Sequence, residues 1–247
     1  TSYLAWKIHG KVTTGMSHFL FRPFMTKYTR LDRKTRHAAD MYINVLEQLG
    51  VTDVANHGLH IETCKEWNDE VFRFYESQGV MPRDKIIGFN IGSAVPEKRW
   101  PAERFADVAD YFGNKGYKTV FFGGPMDLDM VKPVVEQMKT SPIVATGAFK
   151  LGPLAAAMKW CDLLITNDSG PMHVAISQGV PIVALYGPSN PFFYGPYQAK
   201  SIVLESMDHY EIGKSMKQVI KEGKYKGISV ITEEQVIKAA ETLLQES

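Results

Sequence analysis

From residue 85 onward the apolar positions switch repeatedly between two periods. Short runs rich in Val, Ile, Leu and Phe at 85–91, 117–122, 142–145, 162–166 and 181–186 read as buried strands. Between them, apolar residues spaced three and four apart predict helices at 101–114, 128–138, 151–160 and 172–178. The first of these carries Phe105, Val108, Ala109 and Phe112 on one stripe. Residues 201–204 read as a further strand, and 232–245 as a closing helix whose Thr232 and Gln235 have capping-box spacing. Strands alternating with helices predict an α/β fold, a parallel sheet covered on both faces in the doubly wound, Rossmann-like manner. Before residue 80 the rhythm differs. A helix is predicted at 36–49, with Ala39, Ile43, Leu46 and Leu49 as its stripe and Gly50 as its stop, and another at 66–78 before Gly79. Pro82 marks a linker at 80–84, so the chain is expected to divide into 1–80 and 85–247.

Residues 162–191 (DLLITNDSGPMHVAISQGVPIVALYGPSNP) form the most informative unit. An apolar run, a polar turn at 167–170, Pro171 at a favoured first helical position, a short helix ended by Gly179 and a second apolar run make a β-turn-α-β unit. The first turn of such a helix leaves backbone N–H groups unpaired, with partial positive charge, so the end of the first strand suits an anion, commonly a phosphate. Asp168, Ser169, Gly170 and His173 all lie there. Gly170 lets a ligand approach the backbone; Asp168, being anionic, suits hydroxyls better than phosphate. The plainer reading is that Ser169 caps the helix, Asp168 finishes the strand and His173 is a packed surface histidine.

Ligands of doubly wound sheets sit beyond the carboxyl ends of the strands. Those ends bring in Gly92, Ser93, Ala94 and the loop Pro96 to Pro101; then Gly123, Gly124, Pro125 and Asp127; then Thr146, Gly147 and Phe149; and finally Gly187, Pro188 and Ser189. Together they read as a nucleotide site. Lys98 supplies a flexible point charge for phosphate, Gly92 and Ser93 a small-residue approach to a pyrophosphate, and Phe149 or its backbone a border for a base. Lys98 alone would otherwise be a solvated lysine before a helix, Gly123-Gly124 a tight turn, and Trp100 is read as core packing under the loop. No Gly-x-Gly-x-x-Gly follows any strand and no P-loop is present, which argues against a nicotinamide, flavin or P-loop nucleotide site.

Composition narrows the classes further. In 247 residues with net charge +1, no strongly basic footprint marks a nucleic-acid binder. Cys64 and Cys161 fit no metal or redox spacing and suggest a reducing compartment. No apolar run reaches the roughly 18 residues of a membrane span, and no signal peptide is visible. Residues 1–37 are locally basic: Lys7, Lys11, Arg22, Lys27, Arg30, Arg33, Lys34 and Arg36 stand against Asp32, interleaved with Tyr3, Trp6, Phe19, Phe21, Phe24 and Tyr28. That mixture suits an anionic membrane or a phosphorylated acceptor, or else a solvated face over ordinary core aromatics. The chain opens at Thr1 without an initiator methionine, in mid-pattern, as a piece of something longer would.

NIGSAVPEKRWP, VFFGGP, GAFKLGPLAAAMKWCDLLITNDSGPMHVA and GVPIVALYGPSNP, in this order, resemble glycosyltransferase family 9, the ADP-heptose:lipopolysaccharide heptosyltransferase family. The resemblance is close over 86 to about 196 and looser over 1–79. It implies a GT-B architecture, two Rossmann-like domains facing a cleft, with 85–247 holding the nucleotide-sugar and 1–80 the remainder of an acceptor-side domain whose first half is not in the sequence. By position, the resemblance gives Lys98 and Ser93 to the donor phosphates, Ser169 and Gly170 to the diphosphate, Asp168 to the donor sugar's hydroxyls and His173 to the phosphates. Phe149 falls beside the adenine and Asp127 near the ribose. Family members also carry an N-terminal Gly-Asp motif whose aspartate resembles the catalytic base, and many have late cysteines; this chain has neither that segment nor a cysteine in 207–226.

The implied reaction is inverting transfer of heptose from ADP-heptose to a sugar hydroxyl of the lipopolysaccharide inner core, an anionic glycolipid. Lys98 and Asp168 are then the residues expected to act in catalysis, each cutting turnover with folding intact when changed to Ala. No metal is expected to be required, since cationic groups at the departing diphosphate take that role. The implied setting is the cytoplasm, with peripheral contact at the inner membrane. The rival readings are a non-catalytic nucleotide-binding module and a nucleotide-sugar epimerase on the same fold.

Overall fold

The computed structural model describes every residue except Thr1, His18, 31–35, Asp53, Ala55, 208–213, Lys224 and Ser247. Asp32, Arg33 and Lys34 of the basic stretch therefore lie outside the described residues. The chain begins with α1 (Ser2–Lys7), β1 (Thr14–Ser17), a 3-10 turn at Phe19–Phe24 and β2 (Lys27–Arg30), then α2 (Ala38–Glu47) and α3 (Lys65–Ser77). There follow β3 (Ile86–Asn90), α4 (Ala102–Asn114), β4 (Lys118–Phe122), α5 (Leu128–Gln137), β5 (Ile143–Val144), α6 (Leu151–Met158), β6 (Leu163–Asn167), α7 (Gly170–Ile176) and β7 (Ile182–Tyr186). The described elements end with α8 (Pro191–Tyr194), β8 (Ser201–Glu205), α9 (Met216–Lys221) and α10 (Glu233–Gln245).

The six-stranded sheet has the order β5-β4-β3-β6-β7-β8, and every pair in it is parallel. Counted from β3 as strand one this is 3-2-1-4-5-6, the doubly wound order, with its reversal between β3 and β6. Alternate residues of each strand feed two cores. Ile86, Val120, Phe122, Leu164, Ile182 and Ala184 face one, with α3, α6 and α7. Ile87, Phe89, Phe121, Ile165, Val183 and Leu185 face the other, with α4 and α10. Burial on both faces is why these strands read as continuous apolar runs rather than alternating ones. β1 and β2 form a separate parallel pair.

Helix α3 lies on the N-terminal side of the expected linker, yet its Val71 and Tyr75, together with Val80, belong to the first of those cores. The Tyr75 hydroxyl donates to the Ala157 carbonyl at 3.1 Å. Packing therefore continues across 80–84. The stripe expected on α2 is corrected: Met41 is the buried residue, while Leu46 and Leu49 are 42% and 45% exposed. The helix packs on β1 and β2, four residues each, too narrow a surface to cover four positions along its length. The start of α2 is tied to the loop beyond α8, where His37 Nε2 donates to the Gly195 carbonyl at 3.1 Å while its Nδ1 accepts from Ala39 N. Asp40 accepts from both Asn56 and Tyr197.

Candidate functional site

The site grows from the reversal between β3 and β6. Asn90 ends β3 and is 1% exposed, and its Nδ2 reaches Ser169 Oγ at 2.7 Å and Thr166 Oγ1 at 3.1 Å, so the two strand ends are joined side chain to side chain. One residue beyond Thr166, the Asn167 amide donates to the Ile91 carbonyl at 2.8 Å and accepts from Trp100 N at 3.0 Å. That amide pins both ends of the 91–100 loop over the end of β6. Trp100 is buried and its Nε1 donates to the Ile231 carbonyl at 2.9 Å, the packing role read from the sequence. The loop between these anchors carries Ser93, Lys98 and Arg99.

Lys98 and Asp168, the residues expected to act in catalysis, form a pair in the structure. Lys98 Nζ lies 2.5 Å from Asp168 Oδ2, with side chains 17% and 7% exposed. The Ser189 hydroxyl, from beyond β7, donates to the same oxygen. Ser93 Oγ donates to the Asp168 carbonyl at 3.3 Å, and Arg99 Nε to the Ser93 carbonyl at 2.8 Å. A buried carboxylate is costly unless paired and hydrogen-bonded; here two donors from two strand ends supply that. Ser169 stands at the N-cap position without a side-chain capping bond, because its hydroxyl is engaged by Asn90 instead. Beside Gly170 nothing lies within 4 Å of where a Cβ would stand, so the backbone is open to a ligand. Helix α7 is only seven residues long, and a dipole contributes roughly 0.3–1 kcal/mol at a terminus. The cationic side chains at this corner are Lys98, paired with Asp168, and Arg99, which shares the larger cavity with Asp127 and Asp129.

Two cavities meet at the 93–99 loop. Ser93, Ala94 and Arg99 line one of about 690 Å³ with Asn90, Gly92, Asp127, Ser169 and Gly170. Val95 and Lys98 line another of about 300 Å³ with Ser189, Asn190 and Tyr194. Asp127 is fixed at the rim of the larger one: its Oδ2 accepts from Gly124 N at 2.8 Å, and a Cβ on Gly92 would stand 2.5 Å from its Oδ1. Gly123-Gly124 is thus a tight turn, and it also makes room for Asp127, since a Cβ on Gly123 would meet that carboxylate at 2.9 Å.

Two expected residues are placed elsewhere. The Phe149 ring packs edge-on against Phe74 at 4.9 Å and joins the first core, so its side chain does not line the larger cavity. His173 lines a third cavity, of about 450 Å³, with His37, Asn56, Tyr194 and Tyr197. Burial holds its imidazole below the ordinary histidine range; the Asp168 carboxylate opposes this, and the charges of His37 and Lys98 reinforce it. Ser93, Asp127, Ser169 and Gly170 share one cavity, Lys98 and Asp168 form a pair at the 93–99 loop, and His173 stands apart. Asn90 was given no role from sequence, and Asn167, Arg99 and Ser189 entered only as members of strand-end loops, with no contact assigned to them. Arg99, next to Lys98, could have been flagged as a second cation; the other three gain meaning only when β3, β6 and β7 lie side by side.

The family model for glycosyltransferase family 9 (heptosyltransferase) matches residues 2–226. The chain is 32% identical over 166 residues to lipopolysaccharide heptosyltransferase 2 of Salmonella typhimurium, covering 65% of this chain and 47% of that protein. It is 27% identical over 217 residues to lipopolysaccharide heptosyltransferase 3 of Escherichia coli, covering 85% and 60%. The aligned chain spans about half the length of the first of these curated relatives. Among solved structures, the glycosyl transferase family 9 protein from Veillonella parvula is 80% identical with a TM-score of 0.94, covering all of this chain and 71% of that one. The E. coli ADP-heptose lps heptosyltransferase II has a TM-score of 0.81 at 23% identity, over 99% of this chain and 73% of that one, a likeness of fold. The α/β, GT-B class of fold expected from the sequence agrees with these neighbours. Residues 2–226, the strand-end motifs and the strand order point the same way: the chain belongs to glycosyltransferase family 9.

Proposed function

We propose that this chain binds ADP-heptose and serves the inverting transfer of heptose to a hydroxyl of the lipopolysaccharide inner core. The observation that carries the reading is the convergence of Lys98, Ser93, Ser169 and Asp168 on the reversal between β3 and β6. The curated relatives named lipopolysaccharide heptosyltransferase 2 support the choice of sugar and acceptor. In this reading the diphosphate lies over Gly170 between Ser93 and Ser169, Asp127 meets the ribose, the Phe149 backbone borders the adenine and Asp168 holds hydroxyls of the sugar.

Glycosyl transfer passes through an oxocarbenium-like state while negative charge gathers on the leaving diphosphate. Lys98 is held on Asp168 before the donor arrives, and in this reading its ammonium turns to the anion once the diphosphate is bound. A cation brought to the developing charge stabilises it, and losing such a donor costs about 3 kcal/mol, roughly a hundredfold in rate. Residues 85–247 supply the donor side and 1–80 part of the acceptor side, with α3 packed on the former. Tyr3, Leu4 and Trp6 are exposed beside Lys7, which supports peripheral contact with an anionic inner membrane on its cytoplasmic face. Among the described residues no helix is long and apolar enough to cross a membrane. The test is calorimetry with ADP alongside an assay of heptose transfer, both on purified full-length protein. Binding and transfer, both lost in Lys98→Gln, support the proposal. ADP binding without transfer favours a non-catalytic module. Release of free ADP only when acceptor is present excludes the epimerase.

A further inference from the structure

Ser189 is 6% exposed and lies two residues beyond Gly187, past the end of β7. Its hydroxyl donates to Asp168 Oδ2, the oxygen that also takes Lys98 Nζ. The two donors differ in what they can do. Lys98 has a long, flexible stem, lies on a loop between two cavities and carries the charge that a diphosphate would attract. Ser189 has a short side chain, backed by a strand, and no charge. When an anion draws Lys98 away, Asp168 keeps a carboxylate that is 7% exposed, and such a group needs a remaining donor to stay in place.

We propose that Ser189 is a positioning residue: it keeps the Asp168 carboxylate in one orientation after Lys98 has moved to the diphosphate, so that the other oxygen, Oδ1, is presented to hydroxyls of the donor sugar. This rests on the donor-site reading given above. It makes Ser189 matter for a nucleotide that carries a sugar and not for the nucleotide alone. Sequence position hides the link, since 21 residues separate Ser189 from Asp168; the pairing of β6 with β7 brings them together.

The test is calorimetry on the whole chain with two probes, ADP and ADP-heptose, for the wild type, Ser189→Ala, Ser189→Thr, Asp168→Asn and the double variant Ser189→Ala/Asp168→Asn. A hydrogen bond to a charged group is worth about a tenfold change in affinity. Ser189→Ala is expected to weaken ADP-heptose about tenfold and ADP less than twofold, and Ser189→Thr, which keeps the hydroxyl, to restore the difference. In the Asp168→Asn background the Ser189 effect is expected to vanish, as it must if the serine acts through that carboxylate. Should Ser189→Ala not fold, Ser189→Cys fills similar space with a weak donor, and the same selective loss is expected. Equal loss for both probes, loss for neither, or an undiminished effect in the Asp168→Asn background overturns the inference while leaving the donor site intact. A wild-type chain that binds neither probe overturns the donor-site reading and this inference with it.

Discussion

Truncating Lys98 has two consequences, one for chemistry and one for folding. It removes the mobile cation of the site, and it leaves Asp168 with a carboxylate 7% exposed and one donor fewer. Breaking a fully buried pair costs about 3–5 kcal/mol; the residual exposure of Lys98 and the Ser189 bond place this one lower, at about 1–2 kcal/mol. Loss of activity in Lys98→Ala is therefore mixed with loss of stability, unlike the expectation from sequence. Lys98→Ala is expected to lower the urea midpoint, and Lys98→Ala/Asp168→Asn to recover much of it without recovering ADP affinity. Recovery of both would remove Lys98 from the phosphate site. His173 gives a second check. Burial sets its folded pKa below its unfolded value of 6.5, so the unfolded chain takes up the proton first. The stability from keeping this ring neutral is fully present above pH 6.5 and is lost as pH falls toward the folded value. Between pH 7.5 and 5, His173→Gln is expected to flatten the fall in urea-derived stability; an unchanged slope would show that the ring is not buried in solution.

Among the elements, Gly152 of α6 shows how closely α3 is seated. A Cβ there would stand 2.6 Å from the ring of Trp67, so the half-buried indole, packed on the first core, would have to shift. Gly152→Ala is expected to destabilise by about 1–3 kcal/mol by thermal or urea unfolding, although alanine favours a helix. A stabilised variant would mean α3 does not pack as described. Thr232 accepts from Gln235 N while the Gln235 side chain returns to Thr232 N; Thr232→Ala is expected to cost about 1 kcal/mol. The elements most legible in the sequence are those buried on both faces. β3, β4, β6 and β7 announce themselves as apolar runs, and α4 does so by Phe105, Val108, Ala109 and Phe112, all buried. The short helices α8 and α9, of four and six residues, span too little chain to show a period. Leu46 of α2 and Leu49, two residues past its end, misled because a helical stripe reports what a neighbour covers, and β1 and β2 cover little. The site was legible as a set of strand ends: Ser93, Asp127, Ser169 and Gly170 do share a cavity. What the sequence withheld was neighbourhood. The pairing of Lys98 with Asp168 and the roles of Asn90, Asn167 and Ser189 follow from strand order, and Phe149 was drawn inward by Phe74, an aromatic far off in sequence.

For the molecule as a whole, one arrangement carries the account: strand order places an ion pair and four small or polar residues at the single reversal of the sheet. Donor binding as proposed requires a diphosphate to enter there and draw Lys98 off Asp168. In the proposed reading the two cavities flanking the 93–99 loop divide the donor, nucleotide in the larger, beside Asp127, and sugar toward Ser189 in the smaller. The family assignment supports this reading without fixing which groups touch the ligand. The most direct measurement is a crystal structure of the chain with ADP. The expected result is a diphosphate over Gly170, between Ser93 and Ser169, with Lys98 Nζ bonded to a phosphate oxygen and Asp168 still held by Ser189. ADP bound elsewhere, with Lys98 and Asp168 paired and the corner at 167–173 unoccupied, would contradict the account.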